Sequence, residues 1–352
     1  MPKKIFFDAE RMKYPHTGLY HFCLQLGNAL MQKVANSDNS IEIFAPKKHL
    51  ELFNENKGSV PLHFWHKYFL PNTNDINVWH ATHQDTNYFP FNKKLPVILT
   101  IHDLNYYHDN NKNSIKRKIF LNDLQKKVDH SSHLTFISKY TLEDVKKYID
   151  LKDKPTSIIY NGCNIIAEDK IKPMHKNIDT PFLFTIGTIT EKKNFHVLPS
   201  LLVDNNYRLI IAGITQNENY KSKIIEAAKL LSVEDRIQFT GAIDEGEKYW
   251  YYQNCNAFVF PSLAEGFGLP VVEAMHFGKP VFLSTATSLP EIAGDAAYYF
   301  QSFDTKHMQE IFINGLKDFA LNHKETIVKA RAKKFSWEKA AEQYLKIYQS
   351  LY

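Results

Sequence analysis

The stretch Pro261-Ser-Leu-Ala-Glu265-Gly-Phe-Gly-Leu-Pro270-Val-Val-Glu273-Ala-Met275 carries the densest information in the chain. It follows Ala257 to Phe260, a short β-branched and aromatic run that reads as a buried strand. Ser262 to Leu269 then form the loop at that strand's carboxyl end. Pro270 suits the first turn of the next helix, where a missing N–H costs nothing. Gly266 and Gly268 permit close backbone approach beside a helix N-terminus, a setting for an anion or for sugar hydroxyls. Glu265 and Glu273 flank the loop, and carboxylates can accept hydrogen bonds from polyol hydroxyls. Taken alone, such a pair is equally well two solvated side chains.

The same alternation of apolar run and longer amphipathic stretch recurs on both sides, the pattern of strand and helix units around parallel sheets. The first half offers Lys4 to Asp8, Ile41 to Ala45, Ile76 to His80, Val97 to Ile101, Leu134 to Ile137 and Ser157 to Tyr160. The second half offers Phe182 to Ile186, Arg208 to Ala212, Arg236 to Thr240, Ala257 to Phe260, Pro280 to Leu283 and Ala297 to Phe300. Between them Glu168 to Thr180 has no periodic apolar face and reads as a linker. With 352 residues the chain exceeds the roughly 250–300 at which single cores stop growing. Two doubly wound α/β domains are therefore expected, residues 1–170 and 171–335, with a ligand crevice at the carboxyl ends of their strands. Ser336 caps an apolar stripe of Trp337, Ala340, Ala341, Tyr344, Leu345 and Tyr348, which predicts a helix over 336–352 packing back on the first domain.

A content of 44% hydrophobic and 23% charged residues is that of a folded chain and excludes disorder. Cys23, Cys163 and Cys255 are too few and too scattered for a disulfide framework or a metal cluster. No leader pattern and no run of about 20 apolar residues is present, so a cytoplasmic protein is expected. The formal charge is +5, all of it in residues 1–170. In that half Lys116-Arg117-Lys118 and Lys126-Lys127 alternate with Ile115, Ile119, Phe120, Leu124 and Val128. Such a basic amphipathic helix, residues 112–128, fits peripheral contact with an anionic membrane, or a plain solvated surface. A nucleic-acid partner is excluded by the small excess and the lack of any nucleic-acid module.

The segment Pro261 to Ala297, including Gly278-Lys-Pro280-Val and Ser288-Leu-Pro290-Glu291-Ile-Ala-Gly294-Asp-Ala-Ala, resembles the donor region of the family 4 retaining nucleotide-sugar glycosyltransferases. Their two glutamates are separated by seven residues, and the nearest likeness is to the mannosyltransferase-like branch of bacterial polysaccharide enzymes. Thr185-Ile-Gly187-Thr188-Ile-Thr-Glu-Lys192-Lys193-Asn194 is similar to the family segment whose basic pair grips the donor diphosphate. The branch often has Arg where this chain has Lys192, which lacks the planar fork of a bidentate grip. Thr17-Gly18 resembles the glycine loop near the donor phosphates. Thr100-Ile-His102-Asp103-Leu matches a motif whose histidine lies by the donor sugar and phosphate. Ser138 and Asn161-Gly162 match further positions, and read equally as a helix cap and a tight turn.

The resemblance implies a GT-B fold, two Rossmann-like doubly wound domains facing each other across a cleft. It implies transfer of a hexose, mannose favoured, with retention, from a nucleotide sugar to a glycan or lipid-linked acceptor. The nucleotide sugar, GDP-mannose or a UDP-sugar, is then a substrate, and no cofactor is expected. Catalysis falls to His102 and Glu265; donor binding to Gly18, Gly187, Lys192, Lys193, Gly266, Phe267, Gly268, Leu269 and Glu273; the acceptor side to Asp103, Ser138 and Asn161. Glu273 would hold the ribose, Glu265 the sugar, and His102 would stabilise charge between sugar and leaving group. No Asp-x-Asp occurs, so lysines and helix N-termini, not a metal, are expected to neutralise the diphosphate. A non-catalytic sugar-nucleotide binding protein, or a GT-B epimerase or hydrolase, would use the same residues. A Rossmann dehydrogenase is set aside, because no complete Gly-x-Gly-x-x-Gly follows the first strand.

Overall fold

A computed structural model describes residues 2–15, 17–53, 58–109, 112–163 and 180–352. The chain divides into two compact units, residues 1–162 with 336–352, and residues 163–335.

The first unit holds a parallel sheet of β1 (Lys4–Asp8), β2 (Ser40–Ala45), β3 (Ser59–Pro61), β4 (Val78–Ala81), β5 (Val97–Ile101), β6 (His133–Phe136) and β7 (Thr156–Ile158), in the order β3-β2-β1-β4-β5-β6-β7. Its helices are α1 (Gly18–Val34), α2 (Asn105–His108), α3 (Ser114–His130) and α4 (Lys139–Lys146), joined by the last helix of the chain, α11 (Trp337–Ser350). Every residue of β5 is buried, as a central parallel strand covered on both faces requires. One face gathers Phe6, Phe44, Trp79, Leu99 and Phe136 with Leu124 and Val128 of α3 and Val145 of α4, and Phe6 stacks on Trp79 at 4.1 Å. The other face is fastened by polar groups. His80 Nδ1 lies 2.7 Å from the Tyr348 hydroxyl and Nε2 lies 2.8 Å from Thr100 Oγ1, which is 3.0 Å from the Tyr344 hydroxyl. Tyr344 and Tyr348 stand one turn apart on α11.

The second unit holds β8 (Phe182–Ile186), β9 (Arg208–Ala212), β10 (Ile237–Gly241), β11 (Ala257–Phe260), β12 (Val281–Ser284) and β13 (Tyr298–Phe300), parallel in the order β10-β9-β8-β11-β12-β13. Around it lie α5 (Glu218–Leu230), α6 (Glu245–Asn254), α7 (Leu269–His276), α8 (Leu289–Ala293), α9 (Thr305–Leu321) and α10 (Glu325–Ala332). Phe184 stacks on Tyr251 of α6 at 5.0 Å. Strand order reverses between β1 and β4 in the first unit and between β8 and β11 in the second, which opens a crevice at the carboxyl ends of those strands.

All twelve expected strands are present, five with the expected bounds and the others with ends shifted by at most two residues. The unexpected one, β3, is a three-residue edge strand ending in Pro61, too short to show a period. The units part at Gly162, eight residues before the expected boundary. Cys163 already bonds within the second unit, its N–H to the Phe335 carbonyl at 3.2 Å and its Sγ to the Val272 carbonyl at 3.7 Å. Apart from Thr180, the expected linker lies outside the described residues.

Candidate functional site

In the second unit the site is built at the β8/β11 crossover. The loop after β8 brings Lys193, which is 9% exposed. The loop after β11 brings Glu265, whose Oε1 lies 2.5 Å from Lys193 Nζ and accepts from Ser262 Oγ at 2.6 Å. Gly187 makes room for this lysine, since a Cβ there would sit 3.0 Å from Lys193 Cε. Lys192 is exposed; its carbonyl accepts from Ser262 Oγ and from the Leu263 N–H at 2.7 Å, tying the two loops together.

The loop is also held from below. Glu265 N–H donates to Thr287 Oγ1 at 3.0 Å, and Ser288 Oγ donates to the carbonyls of Glu265 and Phe267 at 2.9 and 3.1 Å. Gly266, Phe267 and Gly268 are buried, and Leu269 opens α7 with Pro270 in its first turn. The α7 N-terminus, with the partial positive charge of any helix start, therefore sits beside Lys193's loop at the strand ends.

Glu273 lies on α7 and is 4% exposed. Its Oε1 accepts from Lys248 Nζ at 3.1 Å and its Oε2 from the Tyr252 hydroxyl at 3.0 Å. Burial pulls the Lys248 ammonium down, but Glu273 and Glu245 outweigh it and leave the group above its ordinary value. Burial pushes the Tyr252 phenol well up. Sequence reading missed Lys248, Tyr252, Ser262, Thr287 and Ser288. The spacing of Lys248 and Tyr252, four apart on one helical face, was the available signal for the first two.

In the first unit His102 follows β5 and is 5% exposed. Its Nε2 donates to the Thr82 carbonyl at 2.8 Å, and its ring meets Phe22 edge-on at 4.6 Å. Gln84 clamps its backbone, accepting from the His102 N–H at 3.0 Å and donating to the Asp103 carbonyl at 2.8 Å. Burial holds His102 down to about 4, the Thr82 carbonyl opposing and Arg11 adding. The ring is therefore neutral near pH 7, with hydrogen on Nε2 and the lone pair on Nδ1.

The remaining expected residues are placed as follows. Half-buried Asp103 accepts the Asn105 N–H at 2.8 Å at the start of α2. Ser138 is buried and caps α4, accepting the Thr141 N–H at 3.1 Å. Asn161 is buried, with no hydrogen-bond partner for Oδ1 among the described residues. Gly18 is the exposed first residue of α1, behind the Thr17 cap. Close by in sequence to none of these motifs, Asp8 ends β1 fully buried. It accepts from Thr86 Oγ1 at 2.6 Å and the Glu10 N–H at 3.0 Å, while buried Glu10 pairs with Arg11 at 2.8 Å and Lys13 at 2.6 Å. Charges directly after an apolar strand were the signal for this cluster. Among the described residues no group of three His, Cys, Asp or Glu is arranged to hold a metal ion.

This two-unit arrangement is the GT-B fold. HepE from Anabaena, solved in complex with UDP and glucose, superposes with a TM-score of 0.75 over 99% of this chain and 100% of its own, at 14% identity. The Glycosyltransferase Family 4 model matches residues 34–165, and the Glycosyl transferases group 1 model matches residues 167–334. Between them the two models match most of the chain, which is similar to glycosyltransferase family 4 along both units. O-antigen chain mannosyltransferase B of Escherichia coli is 32% identical over 47% of this chain and 45% of the relative. O-antigen chain mannosyltransferase RfbU of Salmonella typhimurium is 28% identical over 61% of this chain and 60% of the relative. The chain spans less than two thirds of the length of both.

Proposed function

We propose that the chain transfers a hexosyl group, mannose favoured, from a nucleotide sugar to a glycan or lipid-linked acceptor in bacterial polysaccharide synthesis, with retention and without a metal ion. The observation that carries this reading is the buried Lys193–Glu265 pair at the crossover of the second sheet, beside the start of α7. A donor diphosphate placed there takes Lys193 as its counter-ion and the α7 N-terminus as a second source of positive potential. Glu265, released from the lysine, accepts hydroxyls of the sugar, and Glu273 accepts those of the ribose. Gly187, Gly266, Phe267, Gly268 and Leu269 shape the backbone around the donor, with Gly18 and Lys192 near its phosphates.

From the first unit the reading takes His102 as a neutral acceptor through Nδ1, which binds a hydroxyl and not an anion. The reading assigns no carboxylate as a covalent nucleophile, so the donor phosphate takes the acceptor's proton as the new glycosidic bond forms on the face the nucleotide leaves. Mannose is favoured by the relatives named as mannosyltransferases, and UDP-sugars by the neighbour solved with UDP and glucose. Work at the cytoplasmic face of a membrane completes the proposal, with contact through α3; among the described residues no helix is long and apolar enough to cross one.

The test is a thermal-shift comparison of GDP, UDP, GDP-mannose and UDP-glucose on the whole chain and on Lys193→Ala. Ligand at about 100 times its Kd stabilises the native state by about 2.7 kcal/mol. One nucleotide should raise the melting temperature, and K193A should abolish the rise. No shift with any of the four, or Glu265→Ala keeping near full transfer from the donor so found, overturns the reading.

A further inference from the structure

A carboxylate that accepts hydrogen bonds from a ligand must stand ready as the anion, and an anion buried without a counter-charge is costly. Glu273 is 4% exposed, and its compensation comes from α6. Lys248 Nζ holds Oε1 at 3.1 Å and the Tyr252 hydroxyl holds Oε2 at 3.0 Å. The two donors are four residues apart, so one face of α6 presents both head groups, one to each oxygen. Glu245 Oε1 lies 3.1 Å from the same Nζ but is half exposed, and it offsets the ammonium from the solvent side.

Lys248 is not a surface lysine folded over its neighbour; it is 7% exposed along with Tyr249 and Tyr252, which are fully buried. Burying such a pair is weak support for stability, because well-packed apolar residues would fill the same space at no electrostatic cost. Its placement next to the α7 carboxylate therefore calls for a reason other than stability. A carboxylate's two oxygens offer about four lone-pair directions, and Lys248 and Tyr252 fix one on each oxygen.

We propose that Lys248, assisted by Tyr252, is a positioning residue that charge-compensates and aims Glu273 toward the vicinal hydroxyls of the donor ribose. This rests on the reading of Glu273 as the ribose acceptor. Lys248 touches no substrate; it acts through the carboxylate it holds. The consequence is specific. Removing Lys248 weakens the grip on ribose hydroxyls and leaves the grip on diphosphate, built on Lys193, unchanged.

The experiment measures binding of GDP and UDP, and of their 2′,3′-dideoxy counterparts, to the whole chain by titration calorimetry. Lys248→Met is expected to weaken the ribonucleotide by about 10–100-fold, the range for a lost charged hydrogen bond, while dideoxynucleotide affinity stays within about twofold. Lys248→Arg, which keeps the charge, is expected to recover most of the ribose preference. Should K248M fail to fold, Lys248→Gln removes the charge at similar length, and the ratio of ribo to dideoxy affinity must still fall. Glu273→Gln separates the two claims. If E273Q keeps the wild-type ribose preference, the ribose reading of Glu273 fails. If E273Q loses it while K248M or K248Q keeps it, the inference about Lys248 alone fails. Equal loss of ribo and dideoxy affinity in K248M makes the lysine merely structural and overturns the inference as well.

Discussion

Gly268 sits at φ +97 between the buried loop and α7, in a region that side chains rarely adopt, and a Cβ there would lie 2.9 Å from Leu289 Cδ2. Glycine is required twice over, by backbone angle and by space. Gly268→Ala is expected to cost about 1–3 kcal/mol, the sum of left-handed strain and a crowded contact. Urea unfolding reads the loss, and nucleotide affinity should fall with it as the loop moves off Lys193; an unchanged midpoint and affinity would remove the loop's shape from the account. Gly268, Glu265 and Lys193 were legible in sequence because their motif repeats a family pattern. The hydroxyls that hold the loop, Thr287 and Ser288, were not, because they come from the segment after β12 and meet the loop only in three dimensions. His102 was legible as a position but not as a state. Its neutrality follows from burial, against the pull of the Thr82 carbonyl, which lies at a different strand end.

At the scale of elements, α3 divides its basic residues between two tasks. Lys127 turns inward, donating to the Gln84 carbonyl at 2.9 Å, so it belongs to the support of His102 and not to a surface. Lys116 and Lys118 are exposed with Ile115 and Ile119. The segment Phe64 to Phe69 exposes Phe64, Tyr68 and Phe69 by three quarters or more. Leu62 and Leu70, flanking it, pack on the same core cluster as Phe120 and Leu121 of α3, so both lie over one face of the first sheet. Aromatic side chains beside lysines suit an anionic lipid interface. The chain is expected to sediment with vesicles containing phosphatidylglycerol but not with pure phosphatidylcholine, and Lys116→Glu with Lys118→Glu should weaken this at least about tenfold. Equal sedimentation with both vesicle types would refute the electrostatic part. Periodicity showed the helix here, but not which of its lysines faces in, since that depends on Gln84 at the end of a different strand.

The whole molecule carries a pH dependence concentrated in its first unit. Burial lowers His80 to about 3 and His102 to about 4, and lowers His83 well below its ordinary value. The unfolded chain binds more protons than the folded one between those values and the ordinary histidine value, so stability rises with pH across that window. For His102 the linkage is worth ~3 kcal/mol, present above roughly pH 6.5 and lost as pH falls toward 4. Burial raises Asp8 and Asp85, which works in the opposite sense, because the folded carboxyls hold protons that the unfolded chain releases. Three histidines outweigh two acids. The urea midpoint should fall between about pH 7.5 and about pH 5, and His80→Gln should reduce that slope; a flat or rising midpoint in acid would contradict it. The two-lobed plan was visible in the alternation of apolar runs, whereas this cluster of buried charge was not, because it gathers the ends of β1, β4 and β5. The route of the chain has a further consequence. On the ribosome, every strand of the second lobe emerges before α11 does, so the lobe that begins first finishes last. His80 and Thr100 wait without Tyr348 and Tyr344 until those residues leave the exit tunnel, and the nascent chain carries an open polar seam for the whole time the inserted lobe is being made.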